Sequence, residues 1–234
     1  MRRLRSLALL GAAVMLVGAG PIDTDNPSCP AQPDWGSTSA MALTTREGDD
    51  HRILVADGVI DETLPARLRA AIEADEMIGE IWLRSRGGDA RAGNEAGRII
   101  RSYPGMLTRI PAGWTCFSAC NFMFMGGDRR IVERDGIFMV HMFTHTADRT
   151  VISESVMDGT AATTELIAGI EQSSALLASE DNDFLIRMGI SRRLLTEIMY
   201  RQQAVQTVEN PSTRYCLDQD EVRLYNVMPE ERRG

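Results

Sequence analysis

The chain has 234 residues, 44% of them apolar, which suits one domain with a hydrophobic core and excludes low-complexity or collagen-like classes. The formal net charge of -8 repels phosphate backbones, so nucleic acid is not an expected partner. All 25 Lys-plus-Arg positions are arginine, which excludes any mechanism that needs a lysine amine.

Residues 1–19 have the pattern of an export signal. Residues 1–5 are basic, residues 6–18 are apolar, and Val17, Gly18 and Ala19 offer the small residues that a signal peptidase reads. The apolar stretch is shorter than the ~20 residues of a comfortable membrane span. We therefore expect a cleaved signal peptide and a periplasmic or secreted protein. The alternative is an uncleaved anchor, through which the protein would associate with a membrane.

The mature chain is predicted to begin with an irregular leader over residues 20–40, where repeated prolines remove backbone amide donors. A single domain follows over residues 41–229. Hydrophobic periodicity predicts for its first half, in chain order, strand 41–46, strand 52–56, helix 62–76, strand 78–83, helix 90–103 and strand 106–110.

The second half of the domain starts with residues 118–125, which are apolar nearly all round, a pattern typical of a buried helix. The remaining pattern predicts strands 130–132 and 136–141, a long helix or broken helix pair over 153–188, a short helix 191–201, and a closing strand and helical turn over 215–226. Because strands and helices alternate along the chain, the predicted fold class is α/β.

The first motif that can carry chemistry is Ser85-Arg86-Gly87-Gly88, between a predicted strand and helix 90–103. Glycine tolerates positive φ and lets a reactant approach the backbone, so an amide here can donate to an oxyanion. The alternative is an ordinary tight turn. The spacing does not match the GxGxxG pattern of dinucleotide sites, and no cofactor is expected.

Two further residues form a candidate catalytic pair. Ser118 is predicted to open the buried helix, where the helix dipole and the Ala119 amide stabilise developing negative charge. The alternative role for Ser118 is a helix N-cap. His141 ends an apolar strand and is placed to act as a general base, the alternative being a half-buried histidine with a structural partner.

The chain contains four cysteines, Cys29, Cys116, Cys120 and Cys216, and an even count in an exported protein permits disulfides in any of three pairings. Cys116 and Cys120 are the favoured candidates, because Cα atoms four positions apart on a helix lie ~6 Å from each other. Two buried free thiols are the alternative. A second ligand pair with zinc spacing is missing, so no metal site is expected.

From residue 52 to residue 228 the chain resembles the proteolytic subunit of the Clp protease and its exported relatives, within the crotonase superfamily. Ser85-Arg86-Gly87-Gly88 is similar to the family's oxyanion loop, the run from Ser118 to Gly127 to its nucleophile helix, and Val140-His141 to its strand-end histidine. The resemblance implies a single-domain spiral of ββα units. It also implies that Ser118 is the nucleophile, His141 the base, and the Gly88 and Ala119 amides the oxyanion hole.

The sequence departs from the family at two places. Arg86 stands where the family has proline, and it could occupy the site or pair with Asp89. The acid that orients the histidine is not clearly matched: counting back from the closing strand gives Glu209, whereas counting forward from Leu195 gives Arg201. We assign Glu209 as the acid that orients the histidine, and Asp218 and Asp220 are the next candidates.

The resemblance therefore predicts an exported serine hydrolase or peptidase that acts on a peptide or other acyl substrate and assembles into a homo-oligomer. A catalytically inactive binding module of the cell envelope is the second hypothesis, favoured by Arg86 and by the unclear acid. A crotonase-like acyl-CoA enzyme is the third, and the export signal argues against it.

Overall fold

The computed structural model describes residues 21–141, 148–205 and 214–229. Within these ranges the chain forms two β-sheets and seven helices. The strands are β1 (Ala42–Glu47), β2 (Arg52–Asp57), β3 (Ile78–Arg84), β4 (Leu107–Ile110), β5 (Thr115–Phe117), β6 (Arg129–Val132), β7 (Ile137–His141) and β8 (Arg214–Leu217). The helices are α1 (Leu64–Glu73), α2 (Ala90–Arg101), α3 (Cys120–Gly126), α4 (Arg149–Met157), α5 (Thr160–Arg187), α6 (Arg193–Val205) and α7 (Gln219–Leu224).

The two sheets differ in size, and each consists of parallel strands with one antiparallel strand at an edge. The larger has the strand order β1-β2-β3-β4-β6, with β2, β3, β4 and β6 parallel and β1 antiparallel at one edge. The smaller has the order β5-β7-β8, in which β5 and β7 are parallel and β8 is antiparallel. Ser85, directly after β3, bridges to Cys116 of β5, so the sheets meet beside the glycine loop.

The chain passes from the larger sheet to the smaller one and then into a helix. It runs through β4, β5 and α3, and then through β6 and β7 before the helices α4 to α6. The prediction of a single α/β domain built as a spiral of ββα units is confirmed. The short strand β5 was not predicted, and the helix expected from residue 118 begins at Cys120.

Helix α3 lies at the centre of the core, which explains why its sequence is apolar all round. Its Phe124 is fully buried and lies against Phe138 of β7, with ring centroids 5.7 Å apart. The helix also packs closely on α2, since a methyl group added to Gly126 would overlap the backbone of Gly97. Truncating Phe124 to alanine would cost about 3–5 kcal/mol of stability.

The predicted segment 153–188 is a broken helix pair. Helix α4 ends before Gly159, which has a φ of 99° and separates it from α5. None of the residues of α4 is buried, and of the 28 residues of α5 only Phe184 and Leu185 are. The hairpin is therefore attached to the core through the C-terminal part of α5.

Residues 21–40 contain isolated β-bridges and are fastened to β8 and β5. A disulfide joins Cys29 to Cys216, and the Cys216 amide donates to Ser28 Oγ at 3.1 Å. The Asp34 carbonyl accepts a hydrogen bond from the Thr115 amide at 2.9 Å. The leader therefore supports β5, which leads to Ser118, and β8, which pairs with the strand that ends at His141.

Candidate functional site

Ser118 lies in the turn between β5 and α3, with a φ of 58° in the left-handed region. This conformation costs a residue other than glycine on the order of 1 kcal/mol, and such strain concentrates at functional sites. The Ser118 Oγ lies 2.7 Å from His141 Nε2. The N-cap of α3 is Ala119, without a side-chain cap, so the alternative role of Ser118 as a helix cap is wrong.

His141 ends β7, and neighbouring elements hold this strand against the serine turn. The Asn121 side chain on α3 donates through Nδ2 to the Met139 carbonyl at 2.6 Å. The Phe117 ring on β5 packs on the imidazole, with ring centroids 4.8 Å apart. Both contacts fix the position of His141 relative to Ser118. Sequence reasoning had assigned no role to Asn121 or Phe117.

Two disulfides are present, Cys116–Cys120 and Cys29–Cys216. The first is the favoured candidate pair, and it connects β5 to α3 across the turn that carries Ser118. Both of its cysteines are fully buried. Because this bridge closes a very short loop, its main effect is to fix the local backbone rather than to restrict the unfolded chain.

The glycine loop packs directly on the serine turn. Gly87 has a φ of 86°, and its amide donates to the buried Ser85 Oγ at 3.0 Å. A methyl group on Gly87 would lie 2.7 Å from Ser118 Cβ and 3.1 Å from the Ala119 nitrogen. Across the described residues, neither the Gly88 amide nor the Ala119 amide donates a backbone hydrogen bond, so both can donate to a ligand.

The side chains of Arg86 and Asp89 do not form the pair considered above. Asp89 Oδ1 accepts from the Ala92 amide at 2.7 Å and so caps α2. Arg86 is exposed, and its guanidinium makes no ion pair with any carboxylate in the described parts of the chain.

The predicted orienting acid, Glu209, lies outside the described residues. Arg201, the position reached by counting forward, donates to Glu221 and to Tyr215 Oη. Asp218 accepts from the amides of Asp220 and Glu221 at the start of α7. Arg201 and Asp218 therefore have structural roles at the interface of α6, β8 and α7.

A cavity of about 100 Å³ adjoins Ser118 and His141. This volume holds several water molecules, since one water needs roughly 10–15 Å³ by the same measure. Its walls are mainly apolar and include Phe122, Met125, Phe138, Leu185 and Leu194.

Asp181 of α5 also lines this cavity and was not among the predicted site residues. Burial raises the pKa of Asp181 to about 6, the nearby Asn94 side chain lowers it in part, and the charge of Glu180 raises it. No sequence pattern distinguishes this residue, because it is one of several acids in a helix with weak hydrophobic periodicity.

No family model and no curated protein matches the chain. Among solved structures, it is similar to an enoyl-CoA hydratase from Shewanella pealeana, at 13% identity and a TM-score of 0.44, over 80% of this chain and 66% of that one. It is similar to a ClpP1 mutant from Listeria monocytogenes, at 13% identity and a TM-score of 0.39, over 77% and 92% of the two chains.

A third similar structure is an enoyl-CoA hydratase from Mycobacterium marinum, at 20% identity and a TM-score of 0.34. That match covers 43% of this chain and spans only 54% of the other. These similarities concern the arrangement of the backbone.

Proposed function

We propose that this chain is an exported serine hydrolase or peptidase in which Ser118 is the nucleophile and His141 the base. The observation that carries the proposal is the 2.7 Å separation of Ser118 Oγ and His141 Nε2. It is supported by the positive φ of Ser118, because strain of this kind persists where the surrounding structure over-determines it. The free amides of Gly88 and Ala119 supply the electrostatic component.

In the proposed reaction, Ser118 Oγ attacks an acyl carbon while His141 Nε2 takes its proton. The carbonyl electron pair moves onto oxygen, and the Gly88 and Ala119 amides donate hydrogen bonds to that oxyanion. When the carbonyl re-forms, the leaving group departs with the proton from His141, and an acyl-serine remains. A water molecule then gives a proton to His141 and attacks the acyl carbon. The bond from this carbon to Ser118 Oγ breaks, Oγ takes the proton from His141, and the acid is released.

A fluorophosphonate probe tests this proposal, because it reacts covalently only with an activated serine. Wild-type protein should be labelled and the Ser118→Ala variant should not. His141→Ala should lower the labelling rate by about two orders of magnitude or more, the usual range for a general base. Ser173→Ala is the control, since this exposed serine of α5 only bonds to its own helix and its loss should change nothing. Wild-type protein that is folded and resists the probe at every pH would contradict the proposal.

The second candidate, a binding module without catalysis, is favoured by one observation. Arg86 is exposed beside the glycine loop with no acidic partner among the described residues, and a free guanidinium is suited to bind a carboxylate. A binding module would have no turnover to measure. Its Arg86→Ala variant would bind peptide more weakly than the wild type. Binding of a C-terminally free peptide and of its amide, measured by calorimetry, separates the two functions.

Export is part of the proposal and is supported by the disulfides. Bridges between Cys29 and Cys216 and between Cys116 and Cys120 form readily in oxidising compartments. In the described parts of the chain, no helix has both the length and the apolar character required to cross a bilayer. The native protein should begin near Gly20, and N-terminal sequencing that found Met1 in the soluble cytoplasm would contradict this.

Self-association is the remaining part of the proposal. The α4–α5 hairpin exposes large apolar side chains, among them Met157 (78% exposed) and Leu176 (58% exposed). Exposed apolar side chains grouped on one pair of helices are typical of an interaction surface. Sedimentation velocity should give a mass above that of one chain for wild type, and Met157→Glu with Leu176→Glu should shift it towards the monomer. A wild-type monomer at all concentrations would overturn this part alone.

A further inference from the structure

Asp181 is a carboxylate set among apolar walls, close to the candidate nucleophile. It lines the same cavity as Ser118 and His141, together with apolar side chains such as Leu194 and Phe138. An ionised carboxylate in such surroundings is costly unless a hydrogen-bond donor or a cation compensates it.

Asp181, in the described part of the chain, is compensated only in part, by the Asn94 side chain, which lowers a pKa that burial raises. Its Oδ1 is buried without a hydrogen-bond partner there, and so is the Nδ2 of the adjacent Asn94. Arg98, which contacts the same Asn94 side chain, donates to other groups, with its Nε on Asn94 Oδ1 at 2.9 Å and its Nη2 on Asp183 Oδ2 at 3.3 Å. The residue therefore lines the cavity with a carboxylate that its neighbours compensate only in part.

We propose that Asp181 makes this cavity select substrates whose side chain next to the scissile acyl group is apolar along its length and ends in a cation, as in a lysine-type side chain. The alkyl stem would lie on the apolar walls and the ammonium would donate to the Asp181 carboxylate. A compact ammonium fits a cavity of about 100 Å³ with mainly apolar walls better than a guanidinium does, because several of the five guanidinium donors would meet apolar walls. The inference rests on the proposed function, because it assumes that Ser118 attacks the adjacent carbonyl.

The selectivity should depend on pH, because only the ionised carboxylate attracts a cation. Burial holds the pKa of Asp181 at about 6, so the preference should grow as the pH rises through that value. The other charged or titratable groups facing it are Glu180 on the same helix, Arg98 on α2 and His141 on β7.

Two phosphonate probes of the same length measure the preference directly. One carries a lysine-type side chain and the other the neutral norleucine-type side chain, and both form a bond to an activated serine. Wild type should react about 10-fold or more faster with the lysine-type probe at pH 8, because a charge-assisted hydrogen bond contributes about 1.5–3 kcal/mol. Asp181→Asn should abolish this ratio, and Asp181→Leu should reverse it.

A matched control removes the same charge from the same helix at a distance from the cavity. Glu171 is exposed on α5, ten residues before Asp181, and Glu171→Gln should leave the probe ratio unchanged. The inference would be overturned if wild type reacted equally fast with the two probes, or if both Asp181 variants kept the full ratio. Labelling by either probe would still support the hydrolase proposal.

A binding measurement separates failure of the inference from failure of the hydrolase proposal. Pentylammonium and pentan-1-ol are added to Ser118→Ala protein, and binding is followed by ligand-observed NMR. The ammonium should bind better at pH 8, and the preference should disappear in Ser118→Ala with Asp181→Asn. That result without any phosphonate labelling would support the selective cavity and contradict the hydrolase. No ammonium preference in the Ser118→Ala protein would overturn the inference.

Discussion

Replacing Asp181 with asparagine is expected to stabilise the protein at neutral pH and to have little effect under acidic conditions. Burial raises the pKa of Asp181 from 3.8 to about 6 in the folded state. Between these two values the folded chain holds a proton that the unfolded chain has lost, so the free energy of unfolding falls as the pH rises. Asparagine is neutral throughout and avoids this loss.

The magnitude follows from the difference between the two pKa values. From 3.8 to about 6, at about 1.4 kcal/mol per pH unit, the linkage amounts to about 3 kcal/mol. Because the carboxyl retains some contact with solvent, we expect roughly 2 kcal/mol to be observed. That is a large part of the 5–15 kcal/mol by which a domain is typically stable.

Urea unfolding of wild type and Asp181→Asn, with both disulfides intact, gives the two free energies. The difference between the proteins at pH 8 should exceed that at pH 4 by the stated amount, and Glu171→Gln should show no such increase. A difference that is equal at both pH values would refute the reasoning, because it would mean that the Asp181 carboxylate is solvated in the folded protein.

The remaining predictions concern the serine turn and its neighbours. Gly87→Ala should lower fluorophosphonate labelling by about 10²-fold, as expected when an oxyanion loop is displaced. Gly87 has a positive φ, and the added methyl group would overlap the serine turn. Gly169→Ala is the control and should leave labelling unchanged, because a methyl group there meets nothing within 4 Å. Glu209→Gln should reduce turnover without lowering the free energy of unfolding, because an amide does not stabilise the imidazolium as a carboxylate does; an unchanged rate would remove Glu209 from the site. Reduction of Cys116–Cys120 should abolish labelling at denaturant concentrations where circular dichroism still reports a folded domain, and simultaneous loss of both signals would contradict this.

The order of elements could be predicted because amphipathic spacing is a local property. The helix over residues 90–101 places its apolar residues on one face, and the strand ending at Arg84 is a short run in which Ile78, Ile81 and Leu83 are buried. Strand β5 was missed because three residues are too few to show a period. The pairing of Cys29 with Cys216 joins positions 187 residues apart, and sequence alone does not choose among three pairings.

The candidate site was predictable to the extent that its residues lie at the ends of regular elements. The glycine loop follows β3 and His141 ends β7, so the strand pattern alone located both. Asp181 was not predictable, because its burial depends on how α5 packs on α2 and α3, two helices that are distant from it in the sequence. Amphipathic spacing carries no information about such packing when a helix has only two buried residues.

The conformation of Ser118 links the fold to the proposed chemistry. It leads us to predict that glycine at this position gives a more stable protein than alanine does. With a φ of 58°, this position suits glycine, whereas in an α-helix glycine is less stable than alanine by about 0.5–1 kcal/mol. Both Ser118→Gly and Ser118→Ala remove the contact of Oγ with His141 Nε2, so the comparison between them isolates the backbone. The glycine variant should be the more stable of the two by about 1 kcal/mol in urea unfolding, and both should resist the fluorophosphonate. If alanine were instead the more stable, Ser118 would belong to the helix, and the strain that supports its role as a nucleophile would be absent.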